Sequence, residues 1–145
     1  MRKIIIICIS FVLLNNCTDE ADEHTYTTRF KNEASSTIEV KGYDSTNNLI
    51  FDEIILKNDS STNCSGSSES FPGISCKFDS LVVRFDNDKG YICVGRFTNI
   101  KPEFCFSNEK SPFGGGSKGF FTALGNYTYE FVITQEDFEN AHDLP

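Results

Sequence analysis

One-by-one alternation of apolar and polar residues, clearest near the end of the chain, constrains the fold more than any other feature of the sequence. Successive side chains of a β-strand point to opposite faces of a sheet, whereas an amphipathic helix repeats about every 3.6 residues. In the segment 127–133, the side chains expected on one face are those of Tyr127, Tyr129, Phe131 and Ile133. The intervening Thr128 and Glu130 are polar, so the segment predicts a half-buried strand.

Shorter segments of the same kind recur along the chain, with turn-forming residues between them. The predicted strands cover residues 26–30, 38–40, 49–56, 81–85, 91–97, 104–107 and a segment that starts at Phe120. The polar connection 32–36 predicts a hairpin between the first two strands, and residues 86–90 predict the clearest hairpin turn. Thr134, with Asp137 three residues later, predicts the start of a short helix that reaches about His142.

This pattern predicts an all-β fold for a single domain over residues 24–145. Seven or eight short strands and one short C-terminal helix favour an antiparallel β-sandwich of immunoglobulin-like or transthyretin-like topology. A small β-barrel is the alternative. The 14 phenylalanines of the chain can fill the space between two sheets.

The first 16 residues have the layout of a signal peptide. Arg2 and Lys3 precede a largely apolar run over residues 4–14, and Asn15 and Asn16 follow it. A membrane-spanning helix needs about 20 apolar residues, so this run is too short to span a bilayer. The sequence therefore predicts an exported protein.

The segment Leu14-Asn15-Asn16-Cys17 resembles the lipobox of bacterial lipoproteins, in the looser form found in Bacteroidota-type outer membranes. The acidic residues that follow, within 18–23, resemble the signal that exports such lipoproteins to the cell surface. This resemblance implies a diacylglyceryl group on the Cys17 sulfur, cleavage before Cys17 and a tether over residues 17–23. It also implies a lipid-anchored location on the outer membrane, exposed at the cell surface or, alternatively, facing the periplasm.

The chain has six cysteines, of which Cys8 lies in the leader and Cys17 is the lipidation site. An even set in an exported chain predicts two disulfides, and the remaining four are Cys64, Cys76, Cys93 and Cys105. Three connectivities are possible. Pairing the first two and the last two is favoured, because each bridge then closes a short loop of similar length. Structural zinc sites prefer closer pairs, so no metal site is predicted.

Composition and motifs argue against several kinds of chemistry. The net charge of −8 disfavours nucleic acid, whose phosphates are bound by Lys and Arg. The string Gly115-Gly116-Ser117-Lys118-Gly119 has the spacing of a nucleophile elbow, but no helical pattern follows it. The two histidines, His24 and His142, lie at the ends of the domain. No catalytic residue and no cofactor are therefore predicted, and the protein is expected not to be an enzyme.

Two irregular segments, 58–75 and 107–119, interrupt the strand pattern and predict long loops. Since loops carried by a rigid scaffold often bind ligands, the candidate binding residues are Phe71, Pro72, Phe113 and Lys118. The expected function is a non-enzymatic surface module that binds a protein or a glycan through these loops. The alternative is an inhibitor or protective envelope protein that acts on a basic hydrolase, since an acidic surface suits such a partner.

Overall fold

Residues 22–95, 104–106, 110–113 and 120–145 are described by the computed structural model of the chain. They form nine strands and one short helix. In chain order these elements are β1 (His24–Asn32), β2 (Ile38–Tyr43), β3 (Leu49–Ile55), β4 (Cys64–Ser68), β5 (Ser80–Phe85), β6 (Lys89–Val94), β7 (Phe121–Gly125), β8 (Thr128–Ile133), α1 (Gln135–Glu139) and β9 (His142–Asp143).

The strands form two sheets, which confirms the predicted β-sandwich. The four-stranded sheet has the order β4-β1-β8-β7, and the five-stranded sheet has the order β3-β2-β5-β6-β9. Neighbouring strands are antiparallel except β1 and β8, which run parallel. Among the described residues the sheets remain separate, so the barrel alternative is not found, and there are more strands than the seven or eight expected.

The hydrophobic core lies between the sheets and follows the predicted alternation. Phe30 and Phe131, from neighbouring strands, are 1% and 0% exposed, and their ring centroids lie 6.1 Å apart in an edge-on arrangement. Ile38, Val40 and other alternate residues of the five-stranded sheet face them and are fully buried. Edge-on aromatic pairs are favourable geometries for aromatic rings in a core.

The connection 32–36 is not the predicted hairpin, because β1 and β2 belong to different sheets. It is an arch that crosses the sandwich, held by the buried side chain of Asn32. The amide nitrogen of Asn32 donates to the backbone oxygens of Ser36 and Ile55 at 2.9 and 3.0 Å, and its oxygen accepts from the backbone N–H of Ala34 at 3.0 Å. These bonds satisfy backbone groups that a crossing would otherwise bury unpaired.

Two further strand predictions are corrected. The expected loop 58–75 contains β4, where hydroxyl groups of Ser67 and Ser65 lie 3.3 and 3.0 Å from those of Thr25 and Thr27 on β1. Residues 104–106 form a turn rather than a strand, and the Phe104 oxygen accepts from the backbone N–H of Ile92 at 2.8 Å. The end of the strand predicted over 91–97 lies outside the described residues.

The predicted helix start is confirmed, although the helix is shorter than expected. The Thr134 hydroxyl accepts from the backbone N–H of Asp137, and the Asp137 carboxylate accepts from that of Thr134, as in a capping box. The helix ends at Glu139, and His142 lies in β9. Among the described residues, no helix is long and apolar enough to cross a membrane. The leader and Cys17 lie outside them.

The turn between β2 and β3 is organised by the carboxylate of Asp44. Its oxygen Oδ1 accepts from the hydroxyl of Thr46 at 2.7 Å and from the backbone N–H of Asn48 at 2.9 Å. The Thr46 hydroxyl, followed by the Asn48 backbone, lowers the pKa of Asp44 to about 2. This turn sets where β3 begins at the edge of its sheet.

Candidate interaction surface

The edge strand β3 exposes an unusual number of aliphatic side chains. It lies at the end of the five-stranded sheet, and in the described part of the chain only β2 pairs with it. The exposed aliphatic residues of β3 and the position after it are Leu49 (47%), Ile50 (49%), Ile54 (70%) and Leu56 (56%). An unpaired hydrophobic edge is a template for another strand, and proteins usually blunt it.

The other edge on this side of the sandwich belongs to β4. After β3 the chain crosses to the second sheet through residues 56–59 and then runs beside β1 into β4. The backbone N–H of Thr62 donates to the Glu53 carboxylate at 2.9 Å, and its hydroxyl donates to the same carboxylate. This link joins the two edges beside Glu53. The side chain of the neighbouring Asp52 is exposed.

An open groove of about 300 Å³ lies between these edges. Its walls include Ile50, Phe51 and Phe78, and the Cys64–Cys76 disulfide also lines it. Ser75 lines the groove too; it is 7% exposed, and its hydroxyl has no hydrogen-bond partner among the described residues. An unsatisfied buried polar group costs about 1–3 kcal/mol. The hydroxyl is shielded from solvent, so the groove offers a guest the apolar side chains of Ile50 and Phe51.

The backbone around Ser75 is held in place from two sides. Its N–H donates to the buried hydroxyl of Thr28 at 2.7 Å. A Cβ at Gly66 on β4 would lie 3.3 Å from the Ser75 carbonyl oxygen, which shows how closely the segment packs on β4. One wall of the groove, residues 75–78, is irregular, and these contacts hold its backbone against β1 and β4.

The two disulfides have the connectivity that the sequence favoured. Cys64 pairs with Cys76 at a Cα–Cα distance of 4.8 Å, and Cys93 pairs with Cys105 at 4.6 Å. The first bridge ties β4 to the segment that lines the groove. The second ties β6 to the turn at residues 104–106.

The predicted binding residues have different positions. Phe71 is 5% exposed, with its ring centroid 5.0 Å from that of Phe121 and 4.6 Å from that of Tyr129. Its ring therefore packs in the core, and a binding role for Phe71 stays a prediction. Pro72 is partly exposed, Phe113 is partly buried, and Lys118 lies outside the described residues.

The structure nevertheless brings the described parts of the two predicted loops together. Gly73 and Phe113 form an antiparallel bridge, and the backbone N–H of Ile74 donates to the Pro112 oxygen at 2.8 Å. The Phe113 ring also contacts that of Phe78, with centroids 6.2 Å apart. These loops support the groove wall. Sequence reasoning missed β3 as a candidate surface, because alternation predicts a strand but not its place at an edge.

The described residues contain no group of three or more His, Cys, Asp or Glu that could hold a metal ion. The buried acid Glu130 pairs with Arg29 at 2.7 Å. Burial, followed by the charges of Asp137 and Glu136, raises the pKa of Tyr91 to about 12.

Comparisons of the chain with protein-family models, with curated proteins and with solved structures find no match.

Proposed function

We propose that the protein is a lipid-anchored, non-enzymatic binding module of the outer membrane, displayed at the cell surface, and that it binds an extended polypeptide segment along β3. The observation that carries this proposal is the row of exposed aliphatic residues on an edge strand that pairs with β2 alone among the described residues. Strand addition gains affinity from backbone hydrogen bonds and specificity from alternate side chains. It needs no catalytic group and no cofactor.

The edge also suggests the chemistry of the segment it binds. Asp52 and Ile54 are two residues apart and share the face opposite to the buried Ile55. The exposed Asp52 carboxylate favours a basic residue on the added strand, and Ile54 favours an apolar residue beside it. The net charge of −8 favours the same kind of partner. The groove then receives one apolar side chain of that segment beside Ile50 and Phe51.

The anchor is supported by the lipobox-like sequence before Cys17. Two disulfides fit an exported protein, since the cytosol keeps thiols reduced. Acyl chains on Cys17 would hold the protein firmly, because each buried CH₂ contributes about 0.8 kcal/mol. The test is Cys17→Ser in the full precursor: we expect the processed protein to partition into detergent and the variant to stay in the aqueous phase. Partitioning of the variant would refute the anchor.

The test of the β3 surface uses synthetic probes on the mature domain. A short acetylated peptide of alternating valine and lysine is titrated against ¹⁵N-labelled protein, beside a valine–glutamate peptide and a valine–lysine peptide interrupted by proline. We expect the first peptide alone to shift the amide signals of β3. The Ile54→Lys variant should abolish the shifts, because it places a lysine of the protein beside Asp52, where the lysine of the peptide would bind.

The matched control is Leu124→Lys, which alters an exposed leucine on an edge strand of the other sheet. It should leave the β3 shifts unchanged. Equal shifts in the Ile54→Lys variant, or shifts confined to other strands, would show that β3 is not the binding edge. The inhibitor of a basic hydrolase stays a prediction without a specific observation in its favour.

A further inference from the structure

The hairpin between β7 and β8 ends in an exposed apolar tip. Leu124 is 47% exposed and Tyr127 is 46% exposed. Gly125, Asn126 and Tyr127 have φ values of 91°, 48° and 56°. Glycine and asparagine adopt this left-handed conformation readily, whereas a bulky tyrosine is strained in it. The tip therefore carries a tyrosine at a position whose left-handed backbone conformation disfavours aromatic residues.

The tip lies at the end of the sandwich where the chain enters the domain. The His24 ring stacks on that of Tyr127 with centroids 4.5 Å apart, and the backbone N–H of Thr27 donates to the Tyr127 oxygen at 2.9 Å. Cys17 precedes His24 by only seven residues. A chain of that length spans at most about 25 Å. An acyl group on Cys17 would thus keep the tip close to the bilayer surface.

We infer that Leu124 and Tyr127 insert into the interfacial layer of the bilayer that holds the acylated Cys17, and so fix the orientation of the domain. This inference rests on the lipid anchor of the proposed function. Tyrosine is enriched at membrane interfaces because its ring is apolar and its hydroxyl remains hydrated. Since the tether already holds the domain near the lipid, a weak second contact is sufficient.

The charges near the tip favour a neutral lipid surface. Asp22 and Glu23, just before β1, are exposed. These carboxylates would oppose approach to anionic headgroups. The lipid used to test the contact is therefore phosphatidylcholine.

The orientation has a consequence for the edge strand β3. β1 runs from the tip end of the sandwich to the arch, and β2 runs back from the arch to the tip end. Tyr43, at the end of β2, therefore lies at the tip end, opposite Leu49 at the start of β3. Ile55 lies at the other end, opposite Ile38. In the inserted state β3 leads away from the membrane, and its exposed Ile54 and Leu56 lie on the side farther from the lipid.

The chain has no tryptophan, so a single substitution supplies a unique fluorescent reporter. The lipidated full-length Tyr127→Trp variant is bound to phosphatidylcholine vesicles with and without brominated acyl chains. We expect its emission to shift to shorter wavelength and to be quenched by the brominated lipid. The matched control is Leu56→Trp, which replaces a 56% exposed residue at the opposite end and should not be quenched. Leu124→Trp is a second reporter that avoids the strained position.

Burying about half of a leucine side chain changes the ratio of inserted to free domain by about fivefold. Adding Leu124→Ser to the Tyr127→Trp variant should lower that ratio by this factor. Unquenched tip reporters in protein that floats with vesicles would overturn the inference and leave the anchor intact. Equal quenching of the Leu56→Trp control would also overturn it. Protein that fails to float would refute the anchor, and the inference with it.

Discussion

Replacing Asn32 with alanine should destabilise the domain severely, although it removes only one polar side chain. Asn32 is 0% exposed, and its three hydrogen bonds lead to the backbones of Ala34, Ser36 and Ile55, which are also buried. Each of the three buried groups that lose their partner costs about 1–3 kcal/mol, so the expected loss is about 3–9 kcal/mol. Domains of this kind have about 5–15 kcal/mol in total, so the variant should be close to unfolding.

The measurement is urea unfolding followed by far-UV circular dichroism, with the midpoint expected to fall at an unchanged slope. Asn63→Ala, at an exposed position, is the control and should change stability by less than about 0.5 kcal/mol. Asn32→Asp keeps the shape and the accepting oxygen but removes both donated bonds, so it should be as damaging as alanine. If Asn32→Ala cost no more than Asn63→Ala, the amide would not hold the arch.

Two further predictions concern local backbone and charge. In the same urea assay, Gly90→Ala should destabilise the domain by more than about 1 kcal/mol, which is the mean effect of a substitution. The reason is that the Cβ of the alanine would overlap the backbone of Val83 and Arg84. An unchanged midpoint would contradict this close approach. The pKa of Asp44, measured by carboxyl NMR, should be about 2. Because the pKa of Asp44 in the folded protein lies below the usual value of 3.8, its stabilising effect is present above pH 3.8 and lost as the pH falls towards 2. Asp44→Asn should remove this part of the acid sensitivity.

Most of the strands could be predicted from the sequence, because period-two alternation reflects one buried face. The segment 38–40 is a clear example, since Ile38 and Val40 are fully buried and Glu39 between them is partly exposed. The helix start at Thr134 could also be predicted from the sequence, because a capping box depends only on residues three positions apart. Local chemistry determines both features.

Features that depend on distant contacts could not be read in this way. A polar connection such as 32–36 is compatible with a hairpin and with an arch. The arch is held by the hydrogen bond from Asn32 to the backbone oxygen of Ile55, which lies 23 residues away in the sequence. β4 lacks an alternating pattern, since Cys64–Ser68 is mostly serine and glycine, and it is held by pairing with β1. Phe71 lies in an irregular segment rich in polar residues, which predicts exposure, but its ring is buried against those of Phe121 and Tyr129.

The two edges of the five-stranded sheet differ in how the described residues cover them. At one edge, β9 pairs with Lys89 and Gly90 of β6, and the turn at Phe104 accepts the next hydrogen bond from Ile92. The chain thus covers that edge with short segments, which is a common protection against unwanted strand pairing. β3 has no such cover in the described part of the chain and carries exposed aliphatic residues instead. In the proposed strand addition, the bound segment would cover β3 as β9 and the turn at Phe104 cover the opposite edge.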